Sequence, residues 1–364
     1  MSISAGRTVW VDYMRSIVVV LVVAHHAALA YTTFSVFDTA HYINSTHPVV
    51  DNQRWKGLDV LVGYNDLFFM PLMFLISGLF VYKAIARKGK VLFFKDRLIR
   101  LGIPFIIAEL TIIPLSYLPS YYLVHHQIDL SDFLYDYIVN QYWPVGPPWF
   151  LWLLLVFNMV ALLMPAAWYR LVSKRVIWIL YPTSLVAYLP ITLWVGPYNW
   201  TGWMVFDFQL NRVFLYLVYY LAGVAMGAGS WEKELFTNNK LLNKPWPVWV
   251  VSSVVLFVVS ASMRGNLPAT HSLFVLTCLI ACLGCMAFFK WIIQSERNFW
   301  NNLSANAYGI YLVHYFFITW FQFALLSIPI PAIVKFFIVL VFSLIASWLI
   351  VNWIRMATFF KKLL

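Results

Sequence analysis

The sequence predicts an all-α, polytopic membrane bundle of about ten transmembrane helices with both termini in the cytoplasm. Three observations predict it. Of 364 residues, 62% are hydrophobic and 11% charged, with a mean hydropathy of +0.78, too apolar for a soluble domain. Stretches of bilayer length recur at 10–34, 63–86, 98–122, 148–168, 176–196, 212–230, 246–263, 270–293, 304–327 and 331–356. The positive charges gather in alternate loops. Lys83 to Arg100, Arg170 to Arg175, Lys233 to Lys244 and Lys290 to Arg297 fall on one side, joined by Arg7, Arg355, Lys361 and Lys362 at the termini. Arg54, Lys56 and Arg264 fall on the other, with Arg212 and Lys335 at span edges. That bias places both termini inside, and it explains the net charge of +11 as a record of insertion instead of nucleic-acid binding.

The first span carries Asp12, Arg15, His25 and His26. An Arg or Asp within a spanning helix costs about 2.5–3.5 kcal/mol on insertion scales, so such groups mark a site or a pathway. Eleven residues separate Arg15 from His26, and eleven steps of about 100° return to within roughly 20° of the same face, about 16 Å further along. His25 points about 100° away from His26. A cleaved signal peptide, suggested by Arg7 and by Ala28-Leu29-Ala30, is rejected because a disposable segment would not carry these ionisable groups.

The outer loop 35–62 holds His41 and His47, which solvation alone explains, and is long enough to fold over the outer end of the bundle. In span two, Pro71 can bend the helix and Ser77-Gly78 permits close approach of another backbone. Arg97 and Arg100, spaced i and i+3 at the entrance of span three, share a face, as positive-inside residues or as a phosphate clamp. Glu109 is a further charge within that span and a candidate salt-bridge partner of a neighbouring helix. Pro147-Pro148-Trp149 opens span four, where Trp149 suits an interfacial anchor or a stacking surface for a sugar. Spans five to eight read as scaffold, with Asp207 and Arg212 as exceptions. Cys278, Cys282 and Cys285 have the spacing of one packing stripe, and the stripe is preferred to an iron–sulfur motif. Span nine begins with Ser304, a candidate cap, and carries Asn306, Tyr308, Tyr311 and His314, the last two on one face.

Together these residues resemble the acyltransferase-3 (AT3) family of integral-membrane acyltransferases, which includes glucan succinyltransferases and O-antigen and peptidoglycan O-acetyltransferases. Asp12-Tyr-Met-Arg15 followed by His26 is similar to that family's D-x-x-R and R-x10-H pattern. The stretch from Pro71 to Ile76-Ser77-Gly78, the Arg97/Arg100 pair and Ser304 to His314 match its later motifs, and Trp149-Phe150-Leu151 is a weaker match. His25 beside His26 and Ala307 in place of a serine are departures.

The resemblance implies one acyltransferase domain over 1–364, in the inner or plasma membrane. Its co-substrate would be an acyl-CoA, in the first instance acetyl-CoA, with no bound cofactor or metal. The acceptor would be a hydroxyl of a cell-envelope glycan or lipid-linked sugar. Arg15, Arg97 and Arg100 would hold the donor's phosphates, and Asp12 would orient Arg15. His26 would serve as general base, or as the site of a transient acyl-imidazole. His25, Ser77, Glu109, Trp149, Tyr311 and His314 would surround the acceptor or support His26. Two other classes compete: a transporter with Asp12, Arg15, His26, Glu109 and His314 along a proton or substrate path, and a structural subunit of a polysaccharide export complex, in which His26 would be dispensable.

Overall fold

The computed structural model describes residues 8–238, 245–263 and 265–356, so Arg7, Lys240, Lys244, Arg264, Lys361 and Lys362 of the charge argument lie outside the described residues. The chain is helical almost throughout, with one two-residue β-hairpin, Trp200–Thr201 with Phe208–Gln209. Among the described residues seven helical segments are long and apolar enough to cross a membrane: Val9–Leu29, Lys56–Lys88, Lys90–His125, Val176–Val195, Leu210–Ala228, Leu267–Ile292 and Ala332–Ile354. An eighth is formed if Trp149–Leu163 and Ala166–Ser173, bent by 98°, are taken as one span. Pro165 causes that bend, since the residue before a proline avoids the helical region and Met164 is extended at ψ 139°.

Ten spans were expected, and most of each expected stretch lies on helix. Trp246–Ser262, however, has only 17 residues, and Asn298–Leu325 is interrupted by polar side chains such as Asn306, His314 and Gln322.

The helices are α1 (Val9–Leu29), α2 (Lys56–Leu79), α3 (Val81–Lys88), α4 (Lys90–Arg97), α5 (Ile103–Ile107), α6 (Ile113–His125), α7 (Leu130–Tyr135), α8 (Trp149–Leu163), α9 (Ala166–Ser173), α10 (Val176–Val195), α11 (Leu210–Ala228), α12 (Trp231–Lys233), α13 (Trp246–Ser262), α14 (Leu267–Ile292), α15 (Asn298–Leu325) and α16 (Ala332–Ile354). α1 is central and packs against α2, α14, α15 and α16.

α1 ends earlier than its hydropathy suggests. Residues 30–34 leave the helix because the carbonyls that would continue it are taken: Leu29 by the Thr32 and Ser35 hydroxyls, Ala30 by the Asp51 amide and Tyr31 by the Trp55 amide. His26 therefore stands one turn from the end of its helix and not near the middle of a longer one.

α2 and α11 approach closely. A side chain added at Gly223 or Gly227 would run into the carbonyl oxygens of Leu75 and Leu79, and one at Gly78 into that of Tyr220. Small residues four apart on α11 thus let the backbones meet, as in other membrane helix pairs.

Proline decides how α15 docks. Pro104 and Pro119 have no amide hydrogen, so the carbonyls four residues earlier, Arg100 and Leu115, lose their helical donors. Tyr308 Oη donates to the Arg100 carbonyl at 2.7 Å and Trp320 Nε1 to that of Leu115 at 2.9 Å. The segment between α4 and α6 is also underwound into π turns at Leu98–Gly102 and Ala108–Ile112. Ser304, expected as a cap, lies within α15, and its hydroxyl donates across to the Asp12 carbonyl at 3.4 Å. The cysteines of α14 pack as thiols, Cys278 and Cys282 fully buried, with Cys282 Sγ 3.8 Å from the Phe68 carbonyl.

Candidate functional site

α1 and α15 lie side by side and run in the same direction. Ser304 meets Asp12 near their first turns, and near their last Gln322 Nε2 donates to the carbonyls of His26 and Ala27, each at 3.2 Å. Asn65 of α2 binds the Leu21 carbonyl at 2.8 Å from another side. These ties fix the histidine end of α1 within the bundle.

Around His26 the rings gather. The His26 centroid lies 5.5 Å from His25, 5.5 Å from His314, 6.3 Å from His47 and 5.2 Å from Tyr315. His314 is fully buried, and its Nδ1 donates to the Tyr311 carbonyl at 2.6 Å, which leaves Nε2 as the acceptor nitrogen of the neutral ring. Neither that Nε2 nor Nδ1 of His26 has a hydrogen-bond partner. His25 stacks on Phe69 at 5.1 Å.

His26 and His25 both line a cavity of about 2280 Å³. Its wall includes Trp149, Tyr311, Tyr315 and Phe69, with Asp59, Asp66 and Asp207 as carboxylates. Trp149 lies against Tyr216 at 5.8 Å and meets Trp200 edge-on at 6.4 Å, while the rims carry the exposed side chains of Tyr142 and Trp203. Burial raises the Asp207 carboxyl above its ordinary range. The Tyr311 hydroxyl donates to the Pro147 carbonyl, joining α15 to the turn that opens α8.

The arginines stand elsewhere. Arg15 is half-exposed and pairs with Asp12 at 3.6 Å. Arg97 and Arg100 differ in their surroundings, and a π turn begins at Leu98 between them. The Arg97 guanidinium lies over the Phe93 ring at 5.0 Å, whereas Arg100 is exposed and pairs with Asp96 at 3.3 Å. Arg15, Arg97 and Arg100 belong to the end where Ser304 and Tyr308 bind the Asp12 and Arg100 carbonyls, and none of them lines the cavity.

Ser77 lies half-buried on α2, outside the cavity wall. Glu109 is buried with neither oxygen hydrogen-bonded and forms no ion pair among the described residues, which corrects the expected salt bridge. Its neighbours are phenols, Tyr117, Tyr137 and Tyr311.

Three partnerships are not legible in the sequence, although Arg212, Lys335 and His47 are each noted there singly. Asp66 and Arg212 pair at 2.7 Å in the cavity wall, with Arg212 also over Phe274 at 5.4 Å. Lys335 pairs with Asp51 at 2.5 Å, the two side chains 0% and 2% exposed. His47, expected to be solvated, is buried beside His26 and Tyr315. None is adjacent in sequence to its partner, and no local spacing announces it. A signal did exist for Lys335, since a lysine within an apolar span must find an anion.

Among the described residues no group of histidine, cysteine or carboxylate side chains is arranged to hold a metal ion. Residues 8–352 match the model of the acyltransferase-3 family, described as an acyltransferase domain. The comparisons with curated proteins and with solved structures gave no match.

Proposed function

Because the chain belongs to the acyltransferase-3 family, and is on that ground a multi-pass membrane acyltransferase, we propose that it moves an acyl group from a cytoplasmic acyl-CoA to a hydroxyl of a cell-envelope glycan. The observation that carries this reading is His26, a half-buried imidazole on the wall of a large cavity, with a free ring nitrogen and a surround of aromatic rings. Neutral imidazole, with an ordinary pKa near 6.5, suits proton transfer from a hydroxyl at neutral pH. The acceptor oxygen attacks the thioester carbonyl carbon as His26 takes its proton. The carbon–sulfur bond then breaks, and the departing thiolate receives that proton from the imidazolium, so no net proton is released.

The shape of the cavity supports a sugar acceptor. Flat aromatic side chains such as Trp149 and Trp203 offer stacking faces, and Asp59 and Asp207 offer acceptors for hydroxyls. At the other end of α1, Arg15, Arg97 and Arg100 offer charge to the donor's phosphates. The donor's thioester would have to travel about 16 Å along the Arg15–His26 face to reach the histidine. An acetyl donor is the simplest case of this reading.

The purified protein is tested with acetyl-CoA and succinyl-CoA for release of free thiol, in parallel with the mass of surface glycans from cells with and without the gene. Thiol release together with a gene-dependent acyl mass is the expected result. Proton-coupled solute uptake in proteoliposomes without thioester turnover would replace the enzyme with a transporter.

A further inference from the structure

The loop between α1 and α2 brings one imidazole into the protein. On either side of His47 the chain is tied down. Ser120 Oγ donates to the Pro48 carbonyl at 2.7 Å, the Asp51 amide to Ala30 and the Trp55 amide to Tyr31, both at 3.0 Å. The Asp51 carboxylate holds the buried Lys335 ammonium of α16. Earlier in the loop, Tyr42 Oη donates to Asp136 at 2.7 Å. Between these ties His47 is 2% exposed, and its ring nitrogens make no well-formed hydrogen bond, only a loose approach to the Val49 backbone.

Burying a polar ring with so little hydrogen bonding costs free energy that an apolar side chain in the same seat would not. The reason for an imidazole there must lie in its neighbours. The His47 centroid is 5.3 Å from Tyr315 and 6.3 Å from His26, and Tyr315 is 5.2 Å from His26, so the three rings brace one another. His47 does not line the cavity. It stands where it can set the angle of the His26 ring without touching a substrate.

We propose that His47 is a positioning residue for His26, holding its imidazole at a fixed angle through Tyr315 and keeping that side of the ring free of charge. The inference rests on His26 as general base and adds a residue outside the spans that governs it. Catalytic groups lose rate when displaced by roughly 0.5 Å, so a brace of this kind acts on turnover more than on binding. The imidazolium formed when His26 accepts a proton also feels any charge nearby. The titratable groups facing it are His25 from α1, His314 and Tyr315 from α15 and His47 from the loop, with Asp66 of α2 and Arg212 of α11 paired beyond His25.

The test uses the full chain in detergent with acyl-CoA and two substitutions. His47→Asn keeps a neutral polar side chain and should lower kcat about tenfold with the donor KM unchanged. His47→Asp adds a negative charge about 6 Å from His26, and should move the acid limb of kcat/KM upward by about one to two pH units at an effective dielectric constant near 20. Wild-type kcat in the first variant and an unmoved limb in the second would overturn the proposal. So would a joint loss of kcat and KM with an unmoved limb, which a merely structural role produces. Should His47→Asp fail to fold, the kcat against KM split of His47→Asn still decides. Absence of turnover in the wild type would remove the general-base reading itself, and the brace would then be tested by the nitrogen-15 NMR titration of His26, which His47→Asp should shift and which, left unshifted, refutes the brace.

Discussion

At the first turns of α1, Arg15 has Asp12, Arg100 has Asp96, and Arg355 bonds the Ala305 carbonyl and Asn306. At its last turn the polar groups are left open. His26 and His314 each keep a ring nitrogen without a partner, inside a shell of aromatic rings, with His47 beside His26. Charges that are paired and exposed can hold or release an anion in water, whereas an imidazole facing a cavity, as that of His26 does, can exchange protons with what enters it. On the proposed function the contrast separates a docking end from a chemical end, and each can be disturbed without the other.

The largest disturbance is expected at the chemical end, through the ion pair that closes it. Lys335→Met leaves Asp51 buried without its cation, and breaking such a pair costs about 3–5 kcal/mol. Thermal unfolding in detergent should register that loss, and activity should fall with it as the loop carrying His47 loosens. A variant as stable and as active as the wild type would show that this loop needs no anchor.

Acid should distinguish the two ends next. Burial pushes the His47 imidazole down to about 3, partly opposed by the backbone of Val49, while the unfolded chain titrates near 6.5. Below about pH 6.5 the unfolded state therefore binds the proton that the folded state refuses. Stability is full above that pH and falls by about 1.4 kcal/mol per pH unit towards 3. His47→Asn should show a shallower decline in melting temperature between pH 7 and 4.5. Parallel declines in the two proteins would mean that His47 is hydrated.

The smallest effect is expected at the docking end. On the proposed function, Arg97→Ala and Arg100→Ala would each remove one charge-assisted phosphate contact, worth about 1.5–3 kcal/mol when fully formed. Since Arg100 is exposed and its partner Asp96 competes, about a tenfold rise in the donor KM is expected there, with kcat unchanged. An unchanged KM in both variants would return these arginines to a purely topological role.

How much of this could be read from the chain follows from the range of each interaction. The helices were legible, because hydropathy and length are local and nearly every apolar stretch became helix. So was the common face of Arg15 and His26, because α1 is unbroken between them. The exit of the chain at Ala30 was hidden, since it depends on Asp51 and Trp55 capturing carbonyls some twenty residues away. The surroundings of the Arg97/Arg100 pair were hidden as well, since the stacking of Arg97 on Phe93 and the pairing of Arg100 with Asp96 are not announced by an i, i+3 spacing. Lys335 and Asp51 are 284 residues apart, and His47 reaches His26 only through the fold of its loop. Loop histidines look alike in sequence, yet His41 is exposed and His47 buried.

The central claim, that His26 is the base of an acyl transfer, is tested most directly by single-turnover assays with labelled acyl-CoA and a hydroxyl acceptor on purified wild-type, His26→Ala and His25→Ala proteins. A general base contributes about 10²–10⁴-fold, and its removal opens little space at a side chain already facing a cavity. The account predicts a folded, monodisperse His26→Ala protein whose transfer rate falls by that factor, beside a His25→Ala protein that still transfers. A His26→Ala protein that transfers its label at the wild-type rate would contradict it.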